Sequence, residues 1–366
     1  METSPHPEGT IGQPVMATVI QPAPIGYQSR RRSIFSRIIS AFFVLIFIGS
    51  LLLNFLFLSL LGMAWFGSMD DEGRVQERFY SHQYYATDKV AILTIDGVII
   101  SGEGFFKRQI DHALKDAKDG HLKALVIRVN SPGGTMSGSD YMYHHLCELA
   151  EQTNIPIVVS MGGIAASGGY YASMAVGDTA DTIFAEPTTW TGSIGVVIPH
   201  YNFAGLMKEI GVAEDSIASN PLKEMGSFSR PMTEEERKIF QALVEDGFTR
   251  FKDVVKYGRP KFKQDPSALD KLATGQVFTA DQAQQNGLID KIGFMDDAVD
   301  RAIALARLDK DNVKVIKYKP EPSLTNLLLG VQSAKPANLD LAALLDMGTP
   351  KAYYLFTWLP PLAGKP

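Results

Sequence analysis

Three short stretches of this chain hold residue types that could carry out acyl transfer. In Ala165-Ala166-Ser167-Gly168-Gly169 a serine stands among small residues, a few positions after a buried-strand pattern. A serine there is sterically open. If a helix starts behind it, unpaired N–H groups and the helix dipole favour negative charge developing nearby. The same position also suits an ordinary N-cap serine, which is the commoner use. In Asn130-Ser131-Pro132-Gly133-Gly134 paired glycines follow another apolar strand and lead into a helical pattern. Their N–H groups could hold an oxyanion, or the glycines could only supply a tight turn. A nucleophilic serine also needs a base. The histidines are His6, His82, His112, His121, His144, His145 and His200, and no pattern forces one of them toward Ser167; His200 is the least unfavourable. Lys223, in Ser219-Asn220-Pro221-Leu222-Lys223, could serve if desolvation kept its amine neutral, although a loop lysine is ordinarily a solvated charge.

The elements that must position these residues read as follows. Ala124–Val129 (ALVIRV) and Ile155–Ser160 read as short, largely apolar strands, and Thr182–Ala185 as another. Helical patterns separate them, over Gln109–Ala117, from Gly134 to about Gln152, and on to Met174. Apolar strands alternating with helices predict an α/β domain with a largely parallel sheet, whose strand exits are where ligands bind. Lys89–Ile100, broken by Asp96-Gly97, reads as a hairpin-like strand pair. Thr233 with Glu236 forms a capping box in front of a long helix ending near Tyr257. The acidic run Glu234–Glu236 is explained by the helix dipole and calls for no metal. Thr279–Asn286 reads as a helix stopped by Gly287, with a strand after it.

Composition closes off several classes. The chain has 366 residues, 45% of them hydrophobic, enough for a sizeable core. A net charge of −5 argues against a nucleic-acid binder. The lone Cys147 excludes an internal disulfide framework and any zinc site built on paired cysteines. From Ile38 to Phe66 there are 29 residues without a charge, long enough to cross a bilayer. Arg30, Arg31, Arg32 and Arg37 precede that span, and Asp70, Asp71 and Glu72 follow it. The positive-inside rule then predicts a single-pass protein of the cell membrane, its N-terminus cytoplasmic and residues 67–366 outside.

The order of VNSPGG, AASGGYYAS, TGSIGV (Thr191–Val196), LKEMGSFSRPMTEEER (Leu222–Arg237) and GLIDKIG (Gly287–Gly293) resembles the signal peptide peptidase A family, over roughly Val90–Leu308. These are membrane-anchored Ser–Lys proteases, and the similarity implies the Clp-protease/crotonase-like α/β fold with repeated β-β-α units behind one N-terminal transmembrane helix. It implies Ser167 as nucleophile and Lys223 as general base, with Ser193 orienting the lysine amine. Gly168 and one of Gly133 or Gly134 would donate to the oxyanion. It also implies peptide substrates such as signal-peptide remnants or membrane-protein fragments, no cofactor, no metal, and a homo-oligomeric ring whose dyad is shared between protomers. The organisation expected is a Pro-rich cytoplasmic tail (1–33), an anchor (34–66), a juxtamembrane linker (67–88), the protease domain (89–308) and a C-terminal tail (309–366). Apolar Leu339–Leu345 and Tyr353–Leu359 in that tail are candidates for contacts between protomers or for occupying the chain's own substrate groove. A catalytically silent membrane scaffold of the same fold is the alternative; intact Ser167, Lys223 and both glycine pairs argue against it. A crotonase-like acyl-CoA enzyme is a further reading, at odds with a domain outside the cytoplasm.

Overall fold

The computed structural model describes residues 34–67, 75–321 and 352–355; the expected tail over 1–33 lies outside them. The chain divides into two units, Met1–Met63 and Ala64–Pro366. The first holds a helix, α1 (Ile34–Gly67), whose Ala41–Ser59 stretch has a mean hydropathy of 2.6 and exposed side chains. By length and composition it is able to cross a membrane.

In the second unit the chain runs through β1 (Val75–His82), β2 (Lys89–Asp96), α2 (Phe105–Lys118), β3 (Leu122–Ser131), β4 (Gly133–Thr135), α3 (Met136–Thr153), β5 (Ile157–Ala166) and α4 (Gly168–Ser173). It continues through β6 (Ile183–Ala185), β7 (Trp190–Gly192), α5 (Ala204–Glu209), α6 (Glu234–Gly258), α7 (Lys261–Gln264) and α8 (Pro266–Leu272). Then come β8 (Val277–Thr279), α9 (Ala280–Asn286), β9 (Lys291–Ile292), α10 (Met295–Leu305), β10 (Lys314–Pro320) and β11 (Tyr353–Leu355).

The nine-stranded main sheet has the order β1-β10-β2-β3-β5-β6-β9, with β7 and β8 branching from β5; its pairs are parallel except β1–β10 and β7–β8. Its central strands are apolar at consecutive positions because both faces are covered. Ala91, Leu93, Leu125 and Ile127 face a core shared with α2, α3, α4 and α6, while Val90, Ile92, Ala124 and Val126 pack against Ala298, Val299, Ala302 and Ile303 of α10. The α/β class, the parallel sheet and the apolar helix ahead of it are as the sequence predicts.

Two expectations are corrected. Residues 89–96 form one strand rather than half of a hairpin: Asp96-Gly97 ends β2, and only Ile99 of the following residues makes a bridge, parallel to Gly134. The sheet also reaches beyond 89–308 on both sides. Residues 75–82, read as linker, and 314–320, read as tail, form its β1 and β10 strands.

β5 positions the chemistry because it changes neighbours along its length. Val159–Met161 pair with β6, and Ile164–Ala166 pair with β7, which in turn pairs antiparallel with β8. The last residues of β5 are thereby held by a second set of strands just before the chain turns into α4. A separate two-stranded sheet pairs β4 with β11.

Candidate active site

Ser167 occupies the single-residue junction between β5 and α4, with φ 54° and ψ −113°. That conformation is uncommon for a residue with a side chain, and it is held in place on both flanks. The Ser167 N–H donates to the Gly192 carbonyl at 2.8 Å, and its carbonyl accepts from the Tyr171 N–H at 2.8 Å. Thr191 fixes the same turn from the side, its hydroxyl donating to the Ala165 carbonyl at 2.7 Å. Ser167 is 1% exposed, and no described residue pairs with its hydroxyl. This sharp strand-to-helix turn presents a side-chain oxygen instead of capping the helix: Ser167 makes no side-chain cap bond.

A cavity of about 340 Å³ opens beside it, lined by Ser167, Ser193, Ile194–Val197, Val244, Phe248, Ala273–Gly275, Tyr353 and Leu355. Ser193, the second sequence candidate on this wall, also has positive φ (52°) and donates its N–H to the Gln276 carbonyl at 2.8 Å. The structure thus brings Ser167 and Ser193 to one cavity.

The glycine pair lies against the same turn. A Cβ at Gly133 (φ 96°) would collide with the Tyr354 carbonyl oxygen and come within 2.6 Å of the Gly168 nitrogen. A Cβ at Gly134 would collide with the Ile99 carbonyl. Two backbones meet here at a distance that only glycine permits. The Gly133 N–H donates to the Ser131 hydroxyl at 3.1 Å, whereas Gly134 stands opposite Tyr354 in the β4–β11 ladder. Gly168 opens α4, so its N–H is among those a helix leaves without an internal acceptor.

Lys223 is elsewhere. It sits on a single 3₁₀ turn, Pro221–Glu224, capped by the Asn220 side chain, which accepts from the Leu222 N–H at 2.9 Å. The lysine is exposed and forms no part of the cavity wall. The surrounding arm carries exposed apolar side chains, among them Leu206, Ile210, Val212 and the fully exposed Ile217. Among the described residues one ion pair, Arg230–Glu236, ties the arm to the domain. Arg230 bonds both carboxylate oxygens of Glu236, at 2.6 and 3.1 Å, and donates to the Glu224 carbonyl at 3.2 Å. Glu236 also completes the capping box of α6 by accepting from the Thr233 N–H. The Arg230 guanidinium holds the Glu236 carboxyl down at about 2. His200, the other base considered, contacts the Ser227 carbonyl at 3.2 Å and likewise stands outside the cavity.

The Gly287–Asp290 motif turns out to be a clasp. Asp290 accepts from the Thr182 and Ile183 N–H groups at 2.9 Å each and pairs with Arg259 at 2.8 Å, tying β6 to the end of α6. His144, His145 and Glu148 cluster on α3 with ligand-capable atoms within 4.8 Å of one another, outside the cavity wall. The sequence reading missed Val197 and Gly275 as cavity residues; neither has a chemical side chain that would flag it. The aromatic run that contains Tyr353–Leu355 did carry a signal.

Comparison with known proteins bears on these features. The model of peptidase family S49 matches residues 150–309, which include Ser167, Ser193 and Lys223. "Putative protease slr0021" of Synechocystis is 36% identical over 67% of this chain and 84% of its own length. "Putative signal peptide peptidase SppA" of Enterococcus faecium is 36% identical over 63% of this chain and 67% of its own. "Protease 4" of Haemophilus influenzae is 37% identical over 62% of this chain, and the match spans 36% of that longer protein.

Proposed function

This chain belongs to peptidase family S49, and we propose that it is a membrane-anchored serine endopeptidase whose Ser–Lys dyad forms between two copies of the chain. The observation that carries the reading is the Ser167 turn: a buried serine in a strained junction, with two glycine backbones beside it and a cavity in front.

Ser167 is the nucleophile. Gly168 and Gly134 receive the oxyanion, because the Gly133 N–H is already committed to the Ser131 hydroxyl. Lys223 is the base. Its exposure and its absence from the cavity wall favour a partner copy as the source of the amine, and the exposed apolar side chains around it suit contact with that copy. Ser193 then orients the amine.

In the reaction a neutral lysine amine takes the Ser167 proton as Oγ attacks the peptide carbonyl carbon. The tetrahedral oxyanion forms against the two N–H groups. The C–N bond breaks as the lysine ammonium returns that proton to the leaving amine. Water, deprotonated by the same lysine, then hydrolyses the acyl ester and restores the Ser167 hydroxyl.

Helix α1 anchors the chain, and the arginines before it orient the N-terminus to the cytoplasm. The substrates are extended peptides such as signal-peptide remnants or membrane-protein fragments, in keeping with the name of the Enterococcus relative.

The test compares wild type, Ser167→Ala, Lys223→Ala and the two variants co-assembled, each on a fluorogenic peptide. Wild-type activity, two inactive variants and partial recovery in the mixture are expected. Activity surviving Lys223→Ala would remove the assigned base, and failure of the mixture to recover would place the dyad within one chain.

A further inference from the structure

Helix α3 carries a second chemical cluster, outside the cavity that holds Ser167. His144 and His145 are adjacent, and Glu148 follows four residues after the first and three after the second. Those are the two spacings that set side chains on one face of a helix. The ligand-capable atoms of all three lie within 4.8 Å of one another. His145 Nδ1 and Glu148 Oε2 are 3.0 Å apart, a gap that two bonds of about 2.0–2.2 Å to a single ion span. His144 is exposed, its ring centred 5.1 Å from that of His145, so rotation about its side-chain bonds brings the second imidazole to the same point.

The less exposed half of the cluster is held from outside. The other carboxylate oxygen of Glu148, Oε1, accepts from Gln152 Nε2 at 3.0 Å, and Gln152 Oε1 accepts from Lys118 Nζ of α2 at 2.9 Å. The carboxylate is thereby oriented by a chain of hydrogen bonds that ends on a neighbouring helix, which is how outer partners fix metal ligands. The His145 side chain, 16% exposed, meets the Tyr141 ring edge-on at 4.3 Å. Tyr141 in turn lies so close to Gly102 that a Cβ there would collide with its ring. A surface ion pair between His145 and Glu148 requires neither a second imidazole nor a carboxylate fixed from behind.

Two imidazoles and one carboxylate suit a borderline cation such as Zn²⁺, whereas Mg²⁺ and Ca²⁺ require oxygen ligands. We propose that His144, His145 and Glu148 bind one Zn²⁺ per chain, with water completing the coordination, and that the ion clamps successive turns of α3. The site takes no part in peptide hydrolysis, since its ligands stand outside the cavity wall. It therefore stands or falls independently of the roles given to Ser167 and Lys223.

The experiment uses the full-length protein, stripped of metal with a chelator and titrated calorimetrically with Zn²⁺, Mg²⁺ and Ca²⁺. Zinc should saturate a single site per chain and raise Tm, and the two hard cations should give no saturable heat. His144→Ala and Glu148→Gln, with folding checked by circular dichroism, should lose both the binding and the rise in Tm. His82→Ala, which removes an exposed histidine of β1, should keep both. Gln152→Ala leaves the three ligands in place and should weaken zinc affinity roughly 10- to 100-fold. Co²⁺ loaded in place of zinc should give a visible absorption band that disappears in the same two ligand variants. Zinc bound as tightly by either ligand variant as by wild type, or not bound by wild type at all, would overturn the site. Wild-type affinity in Gln152→Ala would overturn the part given to Gln152.

Discussion

The Ser167 region and the Lys223 arm are built to opposite specifications. Around Ser167 the side chains are buried, its own N–H and carbonyl are both hydrogen-bonded, and glycines occur where two segments of backbone touch. Around Lys223 the residues are exposed, the apolar side chains face outward, and one arginine ties the arm to the domain. Ser167 is held by its own chain on every side, whereas Lys223 is not. Under the proposed division of the dyad between copies, an isolated chain would carry a rigid but incomplete apparatus, which would act as a safeguard.

The contrast can be broken most severely from the rigid side. Gly134→Ala drives a Cβ into the Ile99 carbonyl, so kcat/KM should fall by at least about 100-fold through the displaced oxyanion donor, with a lowered Tm in the same sample. Asp290→Ala comes next. It strands the Arg259 charge and two strand N–H groups, a loss of about 3 kcal/mol that should lower Tm by about 6–12 °C in calorimetry.

A change in the arm should reverse that pattern. Arg230→Lys cannot reproduce the forked bond to Glu236, and activity should drop about tenfold as Lys223 loses its support, with Tm moving by less than about 2 °C. The same pair has a pH signature. Glu236 is held at about 2 by Arg230, so its contribution to stability is complete above the ordinary carboxylate value and is lost as pH falls from about 4 to about 2. Acid denaturation followed by circular dichroism should lose that portion of the transition in Glu236→Gln. The smallest effect is expected of Ile217→Ser. It should leave the melting curve where it is and shift only the concentration at which copies associate, as read by sedimentation. A large fall in Tm would show that the arm packs on its own domain.

Legibility from sequence follows the same division. The central strands are readable because Val90–Leu93 and Ala124–Ile127 are apolar at consecutive positions, as two covered faces require. β1 was not, since VQERFYSH is an edge strand half open to solvent and its partner lies more than 230 residues downstream. Ser167 stood out by the small residues around it, although the positive φ that makes it a junction leaves no mark in a residue name. Lys223 has no legible distinction as a loop lysine, and only the order of motifs singled it out. Residue type cannot separate Gly133 from Gly134; only the bond from the Gly133 N–H to the Ser131 hydroxyl distinguishes them.

The β1–β10 edge has a mechanical meaning. Val75 lies opposite Pro320, so the two ends of the sheet-forming chain leave from the same corner. A pull applied there opens the ladder one rung at a time instead of shearing all rungs together. The first rung contains a proline, which has no N–H to resist. Tension would therefore peel away an edge strand first. Ser167, at the end of β5 and four strands in from β1, would stay seated: the domain carries a mechanical fuse at its β1–β10 edge.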